Sequence, residues 1–331
     1  MSDENQEYKI KQKPEDFVVK EISSVKFVHD QGGEYTVFRM RKREYTTEKA
    51  AQTIAEALRI DRKRVGYAGS KDSKAVTEQL ISLRNIERKR VESIRMKDIS
   101  LEFVGFINNP ISLGDLEGNS FEIVVRNIEE RPKPIDKVVN YFGEQRFSKN
   151  NAEIGKAIIK KDFKHAVDRI IDSIGRDEKK VIEHLENNRN DFVGALKAMP
   201  WKTLNMYIHA CQSKIWNETA KIFLEHSPAL NSDAIKIPLV GFSTEIQDDK
   251  VRKIIENILK EENVVPQDFV IRAIPDLSSA GNERALFTEV KDMKIGELED
   301  DELNPGKKKV KISFSLGKGS YATEVIKEMF K

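Results

Sequence analysis

The chain has 331 residues, and its 57 lysines and arginines are almost balanced by 55 aspartates and glutamates, which leaves a net charge of +2. That balance excludes the strongly basic tails that bind nucleic acid, and it gives no reason to expect a membrane-surface protein. One cysteine, Cys211, and five scattered histidines exclude an internal disulfide and the paired spacings typical of zinc sites. We therefore expect a reducing, cytoplasmic setting and no bound metal.

The first part of the chain, up to residue 150, is predicted to alternate short strands and helices. Apolar and polar residues alternate over 17–21 and 35–41, as they do in half-buried strands, with a turn predicted at 31–33. Thr46 is predicted to cap a helix whose apolar residues recur every three or four positions. Further strands are predicted at 65–68, 77–83 and 121–126, the last one after a turn at 117–119.

Beyond residue 150 the pattern changes to that of long amphipathic helices, most clearly over 154–174 and 204–222. Strand-like alternation returns at 284–290 and 310–316, and a closing helix is predicted at 321–330. This order favours one α/β domain with an insertion over two consecutive domains. We expect a discontinuous domain of residues 1–149 and 279–331, interrupted by a helix-rich α/β insertion of residues 150–278.

Charge is distributed unevenly along the sequence. Between Arg39 and Asp98, 17 basic residues stand against 9 acidic ones, a local charge of +8, so that −6 remains for the rest of the chain. Part of that negative charge is the acidic run 297–302, which we predict to be a solvated turn between two strands. The total of +2 therefore conceals a basic region in the first third.

The most unusual segment within the basic region is 66–79, where a short strand ends at Gly69 and is followed by Lys71 and Asp72. Nearby ammonium groups favour the ionised form of a carboxylate, and a positioned carboxylate acts as a nucleophile or a base. The alternative is an ordinary surface turn with a local ion pair. The spacing of the glycines does not meet the phosphate-binding pattern G-x-x-x-x-G-K-[ST], so we do not expect a nucleotide triphosphatase.

Two further segments are candidates for chemistry. Residues 140–147 interleave aromatic side chains with amides and a guanidinium, which suits a base that is stacked on one face and hydrogen-bonded at its edge. The alternative for this segment is an aromatic core cluster at the start of a helix. Residues 316–323 contain two glycines and Ser320, which could cap the last helix, and a helix entry is the alternative there.

Together these segments resemble the TruD family of tRNA pseudouridine synthases. Residues 11–21 are similar to its K-x-x-PEDF-x-V-x-E opening, and 69–79 to its G-x-KD-x-x-A-x-T-x-Q segment. Residues 118–121, 140–147 and 318–328 resemble its G-N-x-F, N-[YH]-F-G-x-QRFG and KGS[YF]AT-x-V-[LI]-[RK]-E segments. The five segments occur in the family's order and extend from residue 11 to residue 328.

The resemblance implies a pseudouridine-synthase catalytic fold, with a central antiparallel or mixed sheet and a family-specific insertion. It also implies that the chain isomerises uridine in tRNA, at uridine 13 of the D-arm, without cofactor or metal. By the resemblance Asp72 is the catalytic aspartate, as nucleophile or as base. Phe142 is expected against the flipped base, Asn140 and Gln145 as polar contacts, and Lys327 as a basic partner of Asp72.

The basic region around Asp72 is predicted to contact the RNA backbone, because phosphate contacts help to recover the cost of flipping a base. The residues expected to bind RNA are Lys11, Glu15, Phe17, Arg62, Lys63, Arg64, Lys71, Lys74, Asn119, Arg146 and Lys318. No protein partner is indicated, and we expect a monomer. The alternatives are a catalytically silent RNA-binding or RNA-chaperone protein of the same fold, and an unrelated aspartate-dependent nucleic-acid enzyme.

Overall fold

The computed structural model describes residues 8–28, 33–147, 150–173, 177–227 and 235–331. Most of the predicted turn at 31–33, namely Gln31 and Gly32, lies outside these residues. The chain divides into two compact units, Met1–Val138 with Glu289–Lys331, and Val139–Thr288. The boundaries predicted from the sequence lie at 149/150 and 278/279, whereas the two units divide at 138/139 and 288/289. The segment 140–147 therefore belongs to the second unit.

The described residues contain thirteen strands and nine α-helices. The strands are β1 Phe17–Ser23, β2 Tyr35–Arg43, β3 Val65–Tyr67, β4 Val76–Arg84, β5 Ile99–Ile107, β6 Leu116–Ile128, β7 Lys137–Val139, β8 Lys236–Leu239, β9 Asn282–Ala285, β10 Phe287–Glu289, β11 Lys291–Ile295, β12 Glu299–Asp300 and β13 Lys308–Gly317. The helices are α1 Thr47–Ala57, α2 Arg88–Glu92, α3 Asn151–Ile159, α4 Phe163–Asp172, α5 Asp177–Asn187, α6 Phe192–Lys197, α7 Trp201–Glu225, α8 Asp249–Glu261 and α9 Ala322–Met329.

A mixed sheet organises the first unit. Its strands lie in the order β11-β13-β6-β1-β4-β2-β5 within the described residues, with β12 paired to β13 and β3 paired to β4. The β1/β4 pair is parallel, and the other strand pairs of this sheet are antiparallel. The predicted α/β fold with a mixed central sheet is confirmed. Because β1 is central, the N-terminal segment that precedes it is brought next to the loop that leads into β4.

Strand β6 is longer than the sequence pattern predicts, and the turn predicted at 117–119 is wrong. Gly118 and Asn119 lie inside the strand, paired with Gly317 and Leu316 of β13. A Cβ atom on Gly118 would lie 2.2 Å from the carbonyl oxygen of Leu316, so only glycine permits this close approach of two strands. Glycine here serves strand packing, although the sequence around it resembles a turn.

Helix α1 follows its sequence pattern closely. The Thr46 side chain accepts a hydrogen bond from the Lys49 N–H at 3.1 Å, which caps the helix as predicted. The apolar face of α1, including Ala50, Ala51 and Ile54, is buried in one cluster with Phe38 and Ile81 of the sheet. A second apolar cluster joins β1, β6 and β13 to α9.

The second unit is built mainly of helices. The single helical pattern over 154–174 is two helices, α3 and α4, because Lys161 between them adopts a left-handed conformation with φ 63°. The long helix α7 carries the fully buried Trp216, whose indole N–H donates to the Ile237 carbonyl at 3.0 Å. No helix within the described residues is long and apolar enough to cross a membrane.

The acidic run 297–302 is not simply a solvated turn. Asp301 is buried, and its carboxylate accepts a hydrogen bond from Arg126 of β6 at 2.9 Å. The same buried guanidinium makes a two-armed ion pair with Asp16, at 2.8 and 2.9 Å. This network fixes the segment just before β1 to the C-terminal strands. The sequence pattern does not predict the burial of Asp301, because its partner Arg126 lies 175 positions away.

The Asp301 carboxyl should make folding sensitive to acid. Burial raises its pKa, but hydrogen bonds from the N–H groups of Asn127 and Leu303, from Asn304 and from Arg126 outweigh burial and lower it to about 2. A folded-state pKa below the unfolded value means that this stabilisation is present above pH ~4 and is lost as the pH falls towards 2, about 2 kcal/mol in all. Urea unfolding between pH 2 and 6 measures it.

The matched variants are Asp301→Asn and Asp292→Asn, the second at an exposed position of β11. We expect Asp301→Asn to be less stable at pH 6 and to lose less stability than the wild type between pH 4 and 2. Asp292→Asn should follow the wild type. The same acid dependence in Asp301→Asn and wild type would contradict the assignment.

Candidate active site

Asp72 lies in the loop between β3 and β4, and hydrogen bonds hold that loop to the sheet and to α1. The buried Gln79 side chain donates to the Gly69 carbonyl at 2.9 Å and accepts from the Thr47 hydroxyl at 2.9 Å. The Thr47 oxygen in turn accepts from the Lys71 N–H at 2.8 Å. These bonds fix the main chain immediately before Asp72, so its carboxylate is held on an ordered loop.

The Asp72 carboxylate forms an ion pair with Lys11 of the N-terminal segment. One oxygen accepts from the Lys11 ammonium, and the other accepts from the Lys74 N–H at 3.1 Å. The Asp72 side chain keeps 26% exposure. The carboxylate is therefore oriented by two donors and is still open to an approaching molecule.

The environment of Asp72 favours its ionised form. Burial raises its pKa, but the hydrogen bond and charge of Lys11 and the N–H groups of Lys74 and Ser73 outweigh burial, and the pKa is held below its ordinary value. An ionised carboxylate at neutral pH is the form that a nucleophile or a general base requires. The predicted alternative, an exposed turn with a local ion pair, does not describe this loop.

Aromatic rings lie beside the ion pair. The Lys11 ammonium is 4.2 Å from the centre of the Phe17 ring, and Phe17 packs edge-on against Phe121 at 6.3 Å. Both rings are almost buried. Phe17 is therefore a buried wall beside the Lys11–Asp72 ion pair, and Phe121 packs against it from the core.

Lys71 does not face outwards, and its predicted contact with RNA stays a prediction. Its ammonium makes an ion pair with Glu21 of β1 at 2.6 Å, and the two side chains are only 5% and 1% exposed. A Glu21 oxygen also accepts from the Leu80 N–H of β4 at 3.4 Å. Because this ion pair is buried between β1 and the segment before β4, Lys71 supports the Asp72 loop.

Asn119 lies opposite Glu21 where β6 pairs with β1. Its side-chain oxygen is buried and has no hydrogen-bond partner among the described residues. Such an orphan acceptor is uncommon in a folded protein and calls for an explanation, for example a donor on a bound molecule. The predicted contact of Asn119 with RNA stays a prediction, for which this unpaired oxygen is a candidate acceptor.

The predicted contacts of Asn140 and Phe142 with the flipped base stay predictions, and the structure shows what else these side chains contact. The Asn140 oxygen accepts from Arg284 at 2.6 Å, and its amide donates to the Ala285 carbonyl at 3.2 Å. Phe142 is 6% exposed, with the Arg284 guanidinium 4.0 Å from its ring centre and Trp216 edge-on at 5.7 Å. Asn140 and Phe142 are thus held by contacts within the second unit, while Glu144 and Gln145 of the same segment are exposed.

The remaining residues of that segment are more accessible. Gln145 is exposed, so its predicted role as a polar base contact stays a prediction. Arg146 is partly buried, 5.5 Å from the Phe142 ring centre, and its Nε has no partner among the described residues.

The other residues predicted to contact RNA differ in their exposure and in the hydrogen bonds that their side chains already make. Arg62 makes two hydrogen bonds to Glu48 at 2.9 Å and donates to the Val65 carbonyl, and Arg64 donates to the Arg84 and Asn85 carbonyls. These two guanidinium groups are already engaged around β3, and their predicted phosphate contacts stay predictions. Exposed side chains of the set are Lys63, Lys74, Lys318 and Glu15, the last one paired with Arg43.

Lys327 lies in the last turn of α9 and is half-buried. The sequence resemblance suggests it as the cation that pairs with Asp72, but in the structure the carboxylate pairs with Lys11. Among the described residues, no group of three or more histidine, cysteine, aspartate or glutamate side chains could hold a metal ion. What the site does offer is an ionised carboxylate, a neighbouring ammonium, aromatic walls and an unpaired amide oxygen.

Comparison with known proteins points to one family. Its sequence profile, described as tRNA pseudouridine synthase D (TruD), matches residues 1–179, 171–235 and 229–329. A relative in Methanosarcina acetivorans described as a tRNA pseudouridine synthase D is 30% identical over 98% of this chain and 92% of its own. The tRNA pseudouridine synthase D of Aquifex aeolicus is 27% identical over 97% of this chain and 98% of its own.

A solved structure supports the same comparison. The crystal structure of a protein from Methanosarcina mazei, described as a tRNA pseudouridine synthase D, matches 97% of this chain and 93% of its own. The TM-score is 0.71 at 29% sequence identity. The similarity therefore extends over both units of the chain.

Proposed function

Because the chain belongs to the TruD family of tRNA pseudouridine synthases, we propose that it isomerises uridine 13 in the D-arm of tRNA, with Asp72 as the catalytic carboxylate. The observation that carries this proposal is the ionised Asp72, held between Lys11 and the Lys74 N–H on an ordered loop. The aromatic wall of Phe17 and Phe121 and the orphan Asn119 oxygen lie on the adjoining strands.

The reaction exchanges one glycosidic bond for another. The bond between the ribose C1′ and uracil N1 breaks, the ring rotates, and C5 bonds to C1′; C5 then loses its proton and N1 gains one, so atoms balance without a cofactor. The Asp72 carboxylate starts this exchange as a nucleophile or as a base. In either role it must be ionised, and Lys11 favours that state.

The target base must leave its stack to reach a carboxylate on a protein loop. Aromatic rings and an amide oxygen are the groups that recognise an extruded base, by stacking and by accepting its N–H. The first of these roles stays with Phe142, as the family resemblance implies, and we assign the second to Asn119. The unit of Met1–Val138 and Glu289–Lys331 is then the catalytic domain, and Val139–Thr288 is the family-specific insertion.

The alternative of a catalytically silent RNA-binding protein is disfavoured by the same loop. A protein that only binds RNA gains nothing from an ionised carboxylate, because that charge repels phosphate. The site supports Asp72 with a buried ion pair, the buried Gln79 and the Thr47 hydroxyl, which is more structure than a surface turn requires.

Mapping of the product tests the position of the modification. Unmodified tRNA transcript is incubated with the purified protein, treated with a carbodiimide that leaves a stable adduct on pseudouridine, and analysed by primer extension. We expect a single protein-dependent stop that reports uridine 13. A stop at another uridine would overturn the assignment of the position while leaving the activity, and no stop would overturn the activity.

The exposed Lys74, which follows Asp72 closely, should contact the RNA backbone. Lys74→Ala should weaken tRNA binding and reduce the slope of log K against log salt concentration by about 0.7 to 0.9, the value for one lost phosphate contact. Binding titrations at four or five salt concentrations measure this slope. The matched control is Lys133→Ala, an exposed lysine of the same unit outside the basic region, and equal slopes in the two variants would contradict the contact.

A further inference from the structure

A buried lysine lies directly beneath the Asp72 loop and is used by nothing described above. Lys42 of β2 is 1% exposed, opposite Thr77 of β4 and Ile99 of β5. Lysine is almost never buried this completely unless its ammonium is paired with a carboxylate. Within the described part of the chain, the hydrogen-bond acceptors of Lys42 are instead two main-chain carbonyls, those of Tyr45 and Asp72.

This arrangement is costly for the fold. Burial lowers the pKa of Lys42 to about 8. The negative charge of Asp72 opposes this effect, and the positive charge of Lys71 adds to it. A methionine has nearly the same length and would fill the same space without a buried charge. Stability alone therefore gives no reason for a lysine at this position.

The two acceptors explain what the ammonium gains. The Asp72 carbonyl is 3.0 Å from the Lys42 Nζ, so the lysine holds the main chain of the residue whose carboxylate Lys11 holds. Tyr45 precedes the start of α1, where Thr47 accepts from the Lys71 N–H. Lys42 thus links the junction of β2 and α1 to the Asp72 loop, because its ammonium donates to a main-chain carbonyl in each.

We propose that Lys42 is a positioning residue for the reaction: its ammonium fixes the main chain of Asp72, so that the carboxylate keeps its direction when RNA displaces or shares Lys11. The inference rests on the proposed role of Asp72. Lys42 itself does not touch the substrate, because its side chain lies under the sheet surface. Its effect falls on the rate of the reaction and not on the affinity for tRNA.

Two variants separate this role from a structural one. Lys42→Met removes the charge and keeps the volume, and we expect a melting temperature equal to or above that of the wild type. With saturating enzyme, the single-turnover rate should fall by about 30-fold to 100-fold, since small misplacements of a catalytic group have effects of that size. The Kd for tRNA should stay within about threefold of the wild type, as it should for Lys133→Met as control.

Lys42→Ala supplies an independent measurement. It leaves a space with the shape of the missing propylammonium group, so added propylammonium should restore the rate several-fold, whereas propanol at the same concentration should not. A wild-type rate in Lys42→Met, a much lower melting temperature in that variant, or equal effects of the amine and the alcohol would each overturn the proposal. Failure of the proposed function is distinguished because it would leave the wild type and Lys133→Met inactive as well.

Discussion

Asp72→Asn is expected to abolish pseudouridine formation while leaving tRNA binding intact. The substitution keeps the size of the side chain and replaces an ionised oxygen by an amide, which is neither a nucleophile nor a base at neutral pH. Removal of a residue of this kind lowers a rate by at least about 10⁴-fold. Single-turnover rates measured with saturating enzyme, together with the Kd for tRNA, separate the loss of chemistry from a loss of binding.

The Kd for Asp72→Asn should be equal to or below that of the wild type. Loss of a negative charge close to the RNA backbone removes repulsion, and it also releases the Lys11 ammonium to contact phosphate. The control is Asp61→Asn, in the same basic region, where the carboxylate serves only to cap the short 3-10 helix Arg62–Arg64. A wild-type rate in Asp72→Asn, or a loss of activity explained entirely by Kd, would contradict the role of Asp72.

Lys11→Met should slow the reaction strongly and move its pH dependence. Without the ammonium, burial becomes the dominant influence on the Asp72 carboxyl, so its pKa rises. In the wild type the pKa is held below the ordinary value and activity should persist down to pH ~4. In Lys11→Met the acidic limb of the rate profile should shift to higher pH, with the rate at pH 7 reduced by about 10²-fold.

Lys11→Arg is the matched variant, because arginine keeps the positive charge although its geometry differs. Its acidic limb should stay close to that of the wild type even if its rate is lower. The measurement is the single-turnover rate from pH 4 to 9 with the Kd determined at each pH. An unchanged acidic limb in Lys11→Met would show that Lys11 does not control the ionisation of Asp72.

Local sequence patterns are sufficient to predict the loop that carries Asp72. A short apolar strand ending in glycine, a capped helix before it and an alternating strand after it are all determined by neighbouring residues, and β3, α1 and β4 occur where they are predicted. The sequence alone therefore predicts that Asp72 lies on a loop between two strands. The family resemblance then distinguished it from the other aspartates.

Contacts between distant residues could not be predicted in this way. Lys11 reaches Asp72 across 61 positions, and its role as the partner of the carboxylate depends on β1 being central in the sheet. The same holds for Lys71, whose basic neighbourhood suggested phosphate binding. Only the parallel pairing of β1 with β4 explains why Glu21 buries its ammonium.

The segment 140–147 is a second case in which contacts between distant residues could not be predicted. Aromatic and amide side chains in alternation fit a base-binding surface and a protein core equally well. Arg284, which is 144 positions away, supplies both a hydrogen bond to Asn140 and the cation over Phe142, and no local pattern predicts these contacts. The chemistry of a segment can be inferred locally, but its exposure depends on the whole fold.

The most direct test of the central claim is tritium release from tRNA whose uridines carry the label at C5, because formation of the new bond to C1′ expels that hydrogen. Two transcripts are compared, one with uridine at position 13 and one with cytidine there. The account predicts one equivalent of tritium per molecule from the first and none from the second, with no release from either by Asp72→Asn. No release by the wild-type protein from the first transcript, or equal release from both, would contradict it.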